Sequence, residues 1–180
     1  MAILSCNQKP SPLPNLNESF TKKDKIPFGT YVAYNQMEYL FPHNTIFVKK
    51  QNFETTWREI SDTKALYVSV SNNLFLTSGD VTAMLQYVDA GNTMFISGNY
   101  IDRKLLDTLG CNVSEAQDIP YIEPDFMDYT HVTLESSHYK DSAKYTYFYY
   151  PLDNLFLEYD TAQSKVLGLN QNGRPNFILL

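Results

Sequence analysis

Two short polar triplets stand where an α/β sheet would do chemistry. Ser71, Asn72 and Asn73 follow an apolar run at 65–70, and Ser97, Gly98 and Asn99 close another at 92–97. In open α/β sheets, ligands gather just past the carboxyl ends of the strands, at the turns into the next helix. Both triplets offer hydroxyls and amides for holding a ligand, and neither offers a thiol, an imidazole or a phosphate loop. Acyl transfer through a thiolate needs a Cys on such an elbow, with a His to take its proton. Cys111 follows a helix terminator instead, so glutamine-amidotransferase activity is not expected. Ser97 lacks the first glycine of a Gly-x-Ser-x-Gly elbow. With Asn99, its expected role is to satisfy free N–H groups at a helix start. A hydrolase or transferase that uses Ser97 is the alternative.

The remaining reactive types are scattered. His131 and Glu135 fall on one face of a strand by period-2 alternation, with His138 on the other, which does not build a zinc site. His43, after Pro42, reads as a loop residue. Asp118, Glu123, Asp125 and Asp128 form an acidic stretch interrupted by Pro120 and Pro124. It lacks calcium-loop spacing and reads as an extended connector. No metal or cofactor is implied. The 14 tyrosines include Tyr145, Tyr147 and Tyr149 on one strand face. An exposed row of flat rings could stack on sugars or dock a partner, whereas a packed row would be core. Carbohydrate binding through that strand is a further alternative.

Those groups must be positioned by elements read from periodicity. Ala33, Met37, Leu40 and Phe41 make a helical stripe that Pro42 stops. Residues 45–48 read as a short strand, as do residues 18–20. Phe53, Trp57 and Ile60 repeat the helical spacing. The run at 65–70 is apolar almost throughout, as in a strand covered on both faces. Thr77 or Ser78 can cap a helix whose expected inner face is Val81, Met84, Leu85 and Val88; Thr77 with Asp80 makes a capping box, and Gly91 suits the exit. After the strand at 92–97, Asn99 is the expected cap of a helix with Ile101, Leu105 and Leu109 inward, closed by Gly110. Strands alternating with helices predict crossover units and a mainly parallel sheet. Beyond residue 125 the period shortens. Residues 131–134, 143–150, 155–159, 165–169 and 176–180 read as antiparallel strands, with Asn172 and Gly173 as a type I′ hairpin turn.

The expected organisation is a Pro-rich tether at 1–17, an α/β domain at 18–125 and an antiparallel extension at 126–180. The net charge of −6 over 180 residues argues against a nucleic-acid surface. Lys22, Lys23 and Lys25 read as a solvated run. No apolar run is long enough to span a bilayer. Ile3, Leu4, Ser5 and Cys6 look like the end of a lipoprotein signal, so Cys6 is a candidate for lipidation, although five preceding residues are too few for a whole signal. The chain closes on the apolar Phe177, Ile178, Leu179 and Leu180, so the natural protein is expected to continue.

Several of these residues carry a family resemblance. Ile26-Pro27-Phe28-Gly29-Thr30-Tyr31, the Leu40-Phe41-Pro42 exit and the run from Asp89 through Gly91 to Ser97 resemble the uncharacterised Bacteroidetes family called "domain of unknown function 4350". Val166-Leu167-Gly168 and Pro175-Asn176-Phe177-Ile178 resemble that family's downstream strands. The resemblance covers roughly residues 18–180 and rests on turns, caps and strand starts. It implies a three-layer, flavodoxin-like α/β fold of the class I glutamine-amidotransferase-like superfamily. It also implies a membrane-anchored envelope protein exposed to the periplasm, with other envelope proteins and a MoxR-type ATPase as expected partners. Together these readings make the chain a non-catalytic ligand- or protein-binding module, with Ser71, Asn72, Asn73, Ser97, Gly98 and Asn99 at its ligand edge.

Overall fold

The computed structural model describes residues 15, 18–27, 29–60, 63–114, 128–135, 143–149 and 154–180. Cys6, His138 and the acidic residues at 118, 123 and 125 lie outside them. The chain divides into two compact units, Met1–Lys49 and Lys50–Leu180.

In the first unit a looped segment leads into α1 (Tyr31–Leu40). Thr30 closes the loop: its N–H reaches the Thr21 carbonyl at 3.0 Å and its hydroxyl the Phe20 carbonyl at 3.1 Å. The lysine run is not simply solvated. The Lys22 and Lys25 ammonium groups sit 4.6 and 4.5 Å from the Tyr34 and Tyr31 ring centroids, a cation–π arrangement. The helix ends before Pro42, as expected, but none of its residues is buried. The expected strands at 18–20 and 45–48 do not form. Phe20 has a positive φ of 47°, which breaks an extended run. Residues 45–48 have no assigned secondary structure, and Phe47 and Val48 are exposed.

The second unit is mixed α/β. Strands β1 (Leu66–Leu74) and β2 (Thr93–Ile101) pair in parallel, from Leu66 opposite Thr93 to Leu74 opposite Ile101. Between them runs α3 (Ser78–Asp89), with α2 (Phe53–Glu59) before β1 and α4 (Arg103–Thr108) after β2. The core gathers Phe53, Leu76, Val81, Ala83, Met84, Tyr87 and Leu105, with Trp57, Tyr67, Met94 and Ile96 packed against it. The ring of Phe53 meets Tyr67 edge-on at 4.7 Å and Tyr87 at 5.5 Å. Such pairs add about 0.5–1.5 kcal/mol each beyond the area they bury.

The buried face of α3 differs from the one expected. It holds Asp80, Val81, Ala83, Met84 and Tyr87, while Leu85 and Val88 are exposed. Tyr87 is the cause. Its large ring fills the space against Phe53 and Trp57, so the helix turns that side inward and leaves two aliphatic residues outside.

The later strands are antiparallel. A two-residue β3 (Asn112–Val113), absent from the sequence expectation, pairs with β6 (Phe156–Glu158). A four-stranded sheet has the order β5-β4-β7-β8, with β4 (Asp128–Leu134), β5 (Lys144–Tyr149), β7 (Lys165–Leu169) and β8 (Pro175–Leu179). The β7–β8 turn is not type I′, because only Gly173 has a positive φ, at 70°. Gly173 N–H bonds the Asn170 carbonyl at 2.9 Å, and the Asn170 side chain accepts from Asn172 and Arg174 N–H, both at 3.0 Å. This is the pattern of a three-residue loop with its left-handed glycine last.

Candidate functional site

The strands continue past the points where the two polar triplets appeared to end them. Ser71, Asn72 and Asn73 lie within β1, and Ser97, Gly98 and Asn99 lie within β2. They therefore do not form elbows, and Asn99 does not cap a helix. Asn99 instead donates its amide to Asn72 Oδ1 at 2.9 Å, a rung between neighbouring strands. Ser71 is opposite Gly98, and Asn73 is opposite Tyr100. Alternation sends Ser71, Asn73 and Gly98 to the sheet face of Tyr67 and Met94, and Asn72, Ser97 and Asn99 to the other. The six residues do not share one rim. The Ser71 hydroxyl oxygen is buried without a hydrogen-bond partner among the described residues, and Ser97 is exposed. At Gly98 a Cβ would stand 3.1 Å from the Ser71 carbonyl oxygen and 3.3 Å from that of Tyr100. The bare glycine lets this otherwise poor strand sequence stay paired.

The true carboxyl ends are held by two aspartates. Where β1 leaves the sheet, Asp80 (3% exposed) accepts from Thr77 N–H at 3.0 Å, the Thr77 hydroxyl at 2.7 Å and Glu54 N–H at 2.9 Å. The reciprocal bond from Asp80 N–H to the Thr77 hydroxyl, at 3.1 Å, completes the expected capping box. Glu54 lies in the first turn of α2, so one carboxylate satisfies orphan donors at two helix starts. Burial alone would raise the Asp80 carboxyl, but the bonds from Glu54, Thr77 and Phe53 outweigh it and hold it below the usual range.

Where β2 leaves, Asp102 (8% exposed) is the N-cap of α4. It accepts from Leu76 N–H at 3.1 Å and Lys104 N–H at 3.0 Å. The Lys104 ammonium reaches the Leu76 carbonyl at 3.2 Å and Asp102 Oδ1 at 3.3 Å. The Leu76 and Lys104 bonds hold the Asp102 carboxyl below its usual range. Sequence reasoning missed both cross-links. The available signal for Asp102 was an excellent N-cap residue just before a Leu pair.

Among the other candidates, Tyr145 and Tyr147 are 50% and 39% exposed on β5, opposite Val132 and Thr130. Tyr149 ends the same strand. Cys111 is buried, and burial pushes its thiol up, away from the reactive thiolate. His131 lies on β4 opposite Thr146. Among the described residues no group of three His, Cys, Asp or Glu side chains comes within metal-binding range, and no helix is long and apolar enough to cross a membrane.

One open cleft, of about 540 Å³, lies between α2 and α3. Glu54, Trp57 and Arg58 form one wall, and Ser78, Thr82 and Gln86 the other. Residues four apart share a helix face, so Ser78, Thr82 and Gln86 form a polar strip along the second wall, beside Gly79 and Ala83. Glu54 and Arg58 are ion-paired along the first. The Trp57 ring stands at 90° to Tyr87 with centroids 5.3 Å apart, which anchors it to the core.

No family model, curated protein or solved structure matches this chain.

Proposed function

We propose that this chain is a non-catalytic ligand- or protein-binding module of a membrane-anchored bacterial envelope protein. We read its fold as three-layered and flavodoxin-like, of the amidotransferase-like kind. The observation that supports a binding role is the fate of the carboxylates at the strand ends. Asp80 and Asp102 accept hydrogen bonds from backbone N–H groups on neighbouring elements, and both are held ionised. A carboxylate so engaged is a poor proton acceptor for a substrate. The envelope setting, the anchoring and a MoxR-type ATPase as partner come from the family resemblance alone.

Turnover assays test the reading. The purified chain, incubated with glutamine and with chromogenic acyl and phosphoryl esters, should release neither ammonia nor chromophore. Turnover that vanishes in Ser97→Ala would instead establish the hydrolase or transferase reading, and ammonia from glutamine would establish an amidotransferase. The exposed Tyr145 and Tyr147 keep a second binding reading open, carbohydrate stacking on β5. It requires that Tyr145→Ala and Tyr147→Ala weaken glycan binding.

A further inference from the structure

We propose that the α2–α3 cleft is a binding site for a neutral saccharide. This names a ligand class for the binding module proposed above and rests on that reading, but it moves the site away from the strand ends.

In the Glu54–Arg58 pair only Oε1 of Glu54 is occupied among the described residues. Oε2 lies over the start of α3, where a Cβ on Gly79 would come within 2.3 Å of it. Glycine at 79 thus makes room for this acceptor at the cleft edge. Across the cleft Ser78 offers a hydroxyl and Gln86 a whole amide, neither with an intramolecular side-chain partner among the described residues. The Thr82 hydroxyl donates to the Ser78 carbonyl at 3.0 Å and keeps its acceptor lone pairs. Donors and acceptors therefore both line the opening, and the Glu54 and Arg58 charges offset each other.

That composition selects among ligands. An anion would want unpaired cations or free N–H groups. Here Arg58 is ion-paired with Glu54, and the second oxygen of that carboxylate lies over the start of α3, where its charge would repel an anion. A purely apolar ligand would leave Ser78 and Gln86 desolvated without partners. A sugar hydroxyl both donates and accepts, so a ring of hydroxyls matches a wall of Ser, Thr, Gln and carboxylate. The apolar C–H face of the sugar needs a flat aromatic, and Trp57, the one tryptophan of the chain, lines the same cleft.

The single tryptophan also provides the readout. The full chain is titrated with cellobiose, maltose and N,N′-diacetylchitobiose while Trp57 emission is followed, with calorimetry in parallel. At least one disaccharide should give a saturable emission change. Gln86→Ala, an exposed helix position, should weaken it about tenfold, the equivalent of one good hydrogen bond. Thr82→Lys, which fills the cleft, should abolish it. Both variants should melt as the parent does. Three results would overturn the proposal: no binding of any of the three sugars; binding unaffected by both cleft variants but lost in Tyr145→Ala; or saturable quenching by inorganic phosphate alone. None of these touches the non-catalytic reading, which falls only if the chain turns over a substrate. Cleavage of the disaccharide would remove both readings.

Discussion

Replacing Asp80 with alanine tests how the second unit holds its helices on its parallel strands. The side chain accepts three hydrogen bonds, from Glu54 N–H, Thr77 N–H and the Thr77 hydroxyl. Bonds to a charged acceptor contribute about 1.5–3 kcal/mol each, so a simple sum would reach about 4.5–9 kcal/mol. That sum is too large. Thr77 is exposed and Glu54 half-buried, so water recovers part of the loss once the carboxylate is gone. The expected cost is about 2–4 kcal/mol, a large share of the ~5–15 kcal/mol that typically separates native from unfolded chains. With a urea slope near 2 kcal/mol/M, the midpoint should fall by about 1–2 M. Trp57 fluorescence reports this unit directly. Asp80→Asn keeps one acceptor oxygen but turns an amide donor toward other donors, and should cost about half as much. Hydrogen exchange adds a local check: the Glu54 and Thr77 amides should lose protection in Asp80→Ala beyond what global destabilisation explains. A cost under about 1 kcal/mol, or unchanged protection of Glu54, would refute the idea that one carboxylate joins α2 to the start of α3.

Asp102→Ala should cost about 2 kcal/mol by urea denaturation, since it removes the α4 cap and the acceptor for Leu76 N–H. Both carboxyls are held below their usual range when folded, so the unfolded chain binds protons first as the pH falls. Their contribution is complete above the ordinary aspartate value of about 4 and is lost as the pH drops through their folded values. The acid limb of a stability–pH curve should flatten in Asp80→Asn and in Asp102→Asn, and an unchanged limb would contradict the assignment. Ser71→Ala should leave stability unchanged or raise it by up to ~1 kcal/mol, because the parent buries a hydroxyl without a partner. A loss above that size in a thermal melt would show that the hydroxyl has one.

The legible parts of this fold were those with local causes. Thr77 and Asp80 announced the start of α3, Gly91 its exit with a φ of 88°, and Gly110 the exit of α4 with a φ of 63°. The later strands also stood where alternation and turn residues placed them. Strand length was not legible at the polar triplets. Ser, Asn and Gly disfavour strands in isolation, yet Leu74 pairs with Ile101 beyond them and the Asn72–Asn99 amides bond across the gap. Those contacts are non-local, so one strand's sequence cannot report them. The inward face of α3 was hidden for a similar reason. Its deciding residue, Tyr87, is polar at one end and reads ambiguously until Phe53 and Trp57 are seen around it. The expected ligand edge inherited the error in strand length, since it was placed by where the strands appeared to stop.

The shift in strand ends changes where a ligand can be held. The carboxyl edge of a parallel sheet attracts ligands because helix N–H groups open there without partners. In this chain the partners come from within: Asp80 serves α2 and α3, and Asp102 joins the exit of β1 to α4. Filling that edge with internal carboxylates gives it the character of a structural seam, with little left to offer a ligand. Among the described residues, unengaged hydrogen-bonding groups are found one layer outward, on the α2 and α3 surfaces, where Ser78, Gln86 and the second oxygen of Glu54 face an open cleft beside Trp57. The same Asp80 that closes the strand edge also sets the spacing of that cleft, because its bond to Glu54 N–H ties α2 to α3. Loss of saccharide binding in Asp80→Asn, under conditions where the chain remains folded, would be the expected consequence of that coupling. Full retention of binding would separate the cleft from the seam.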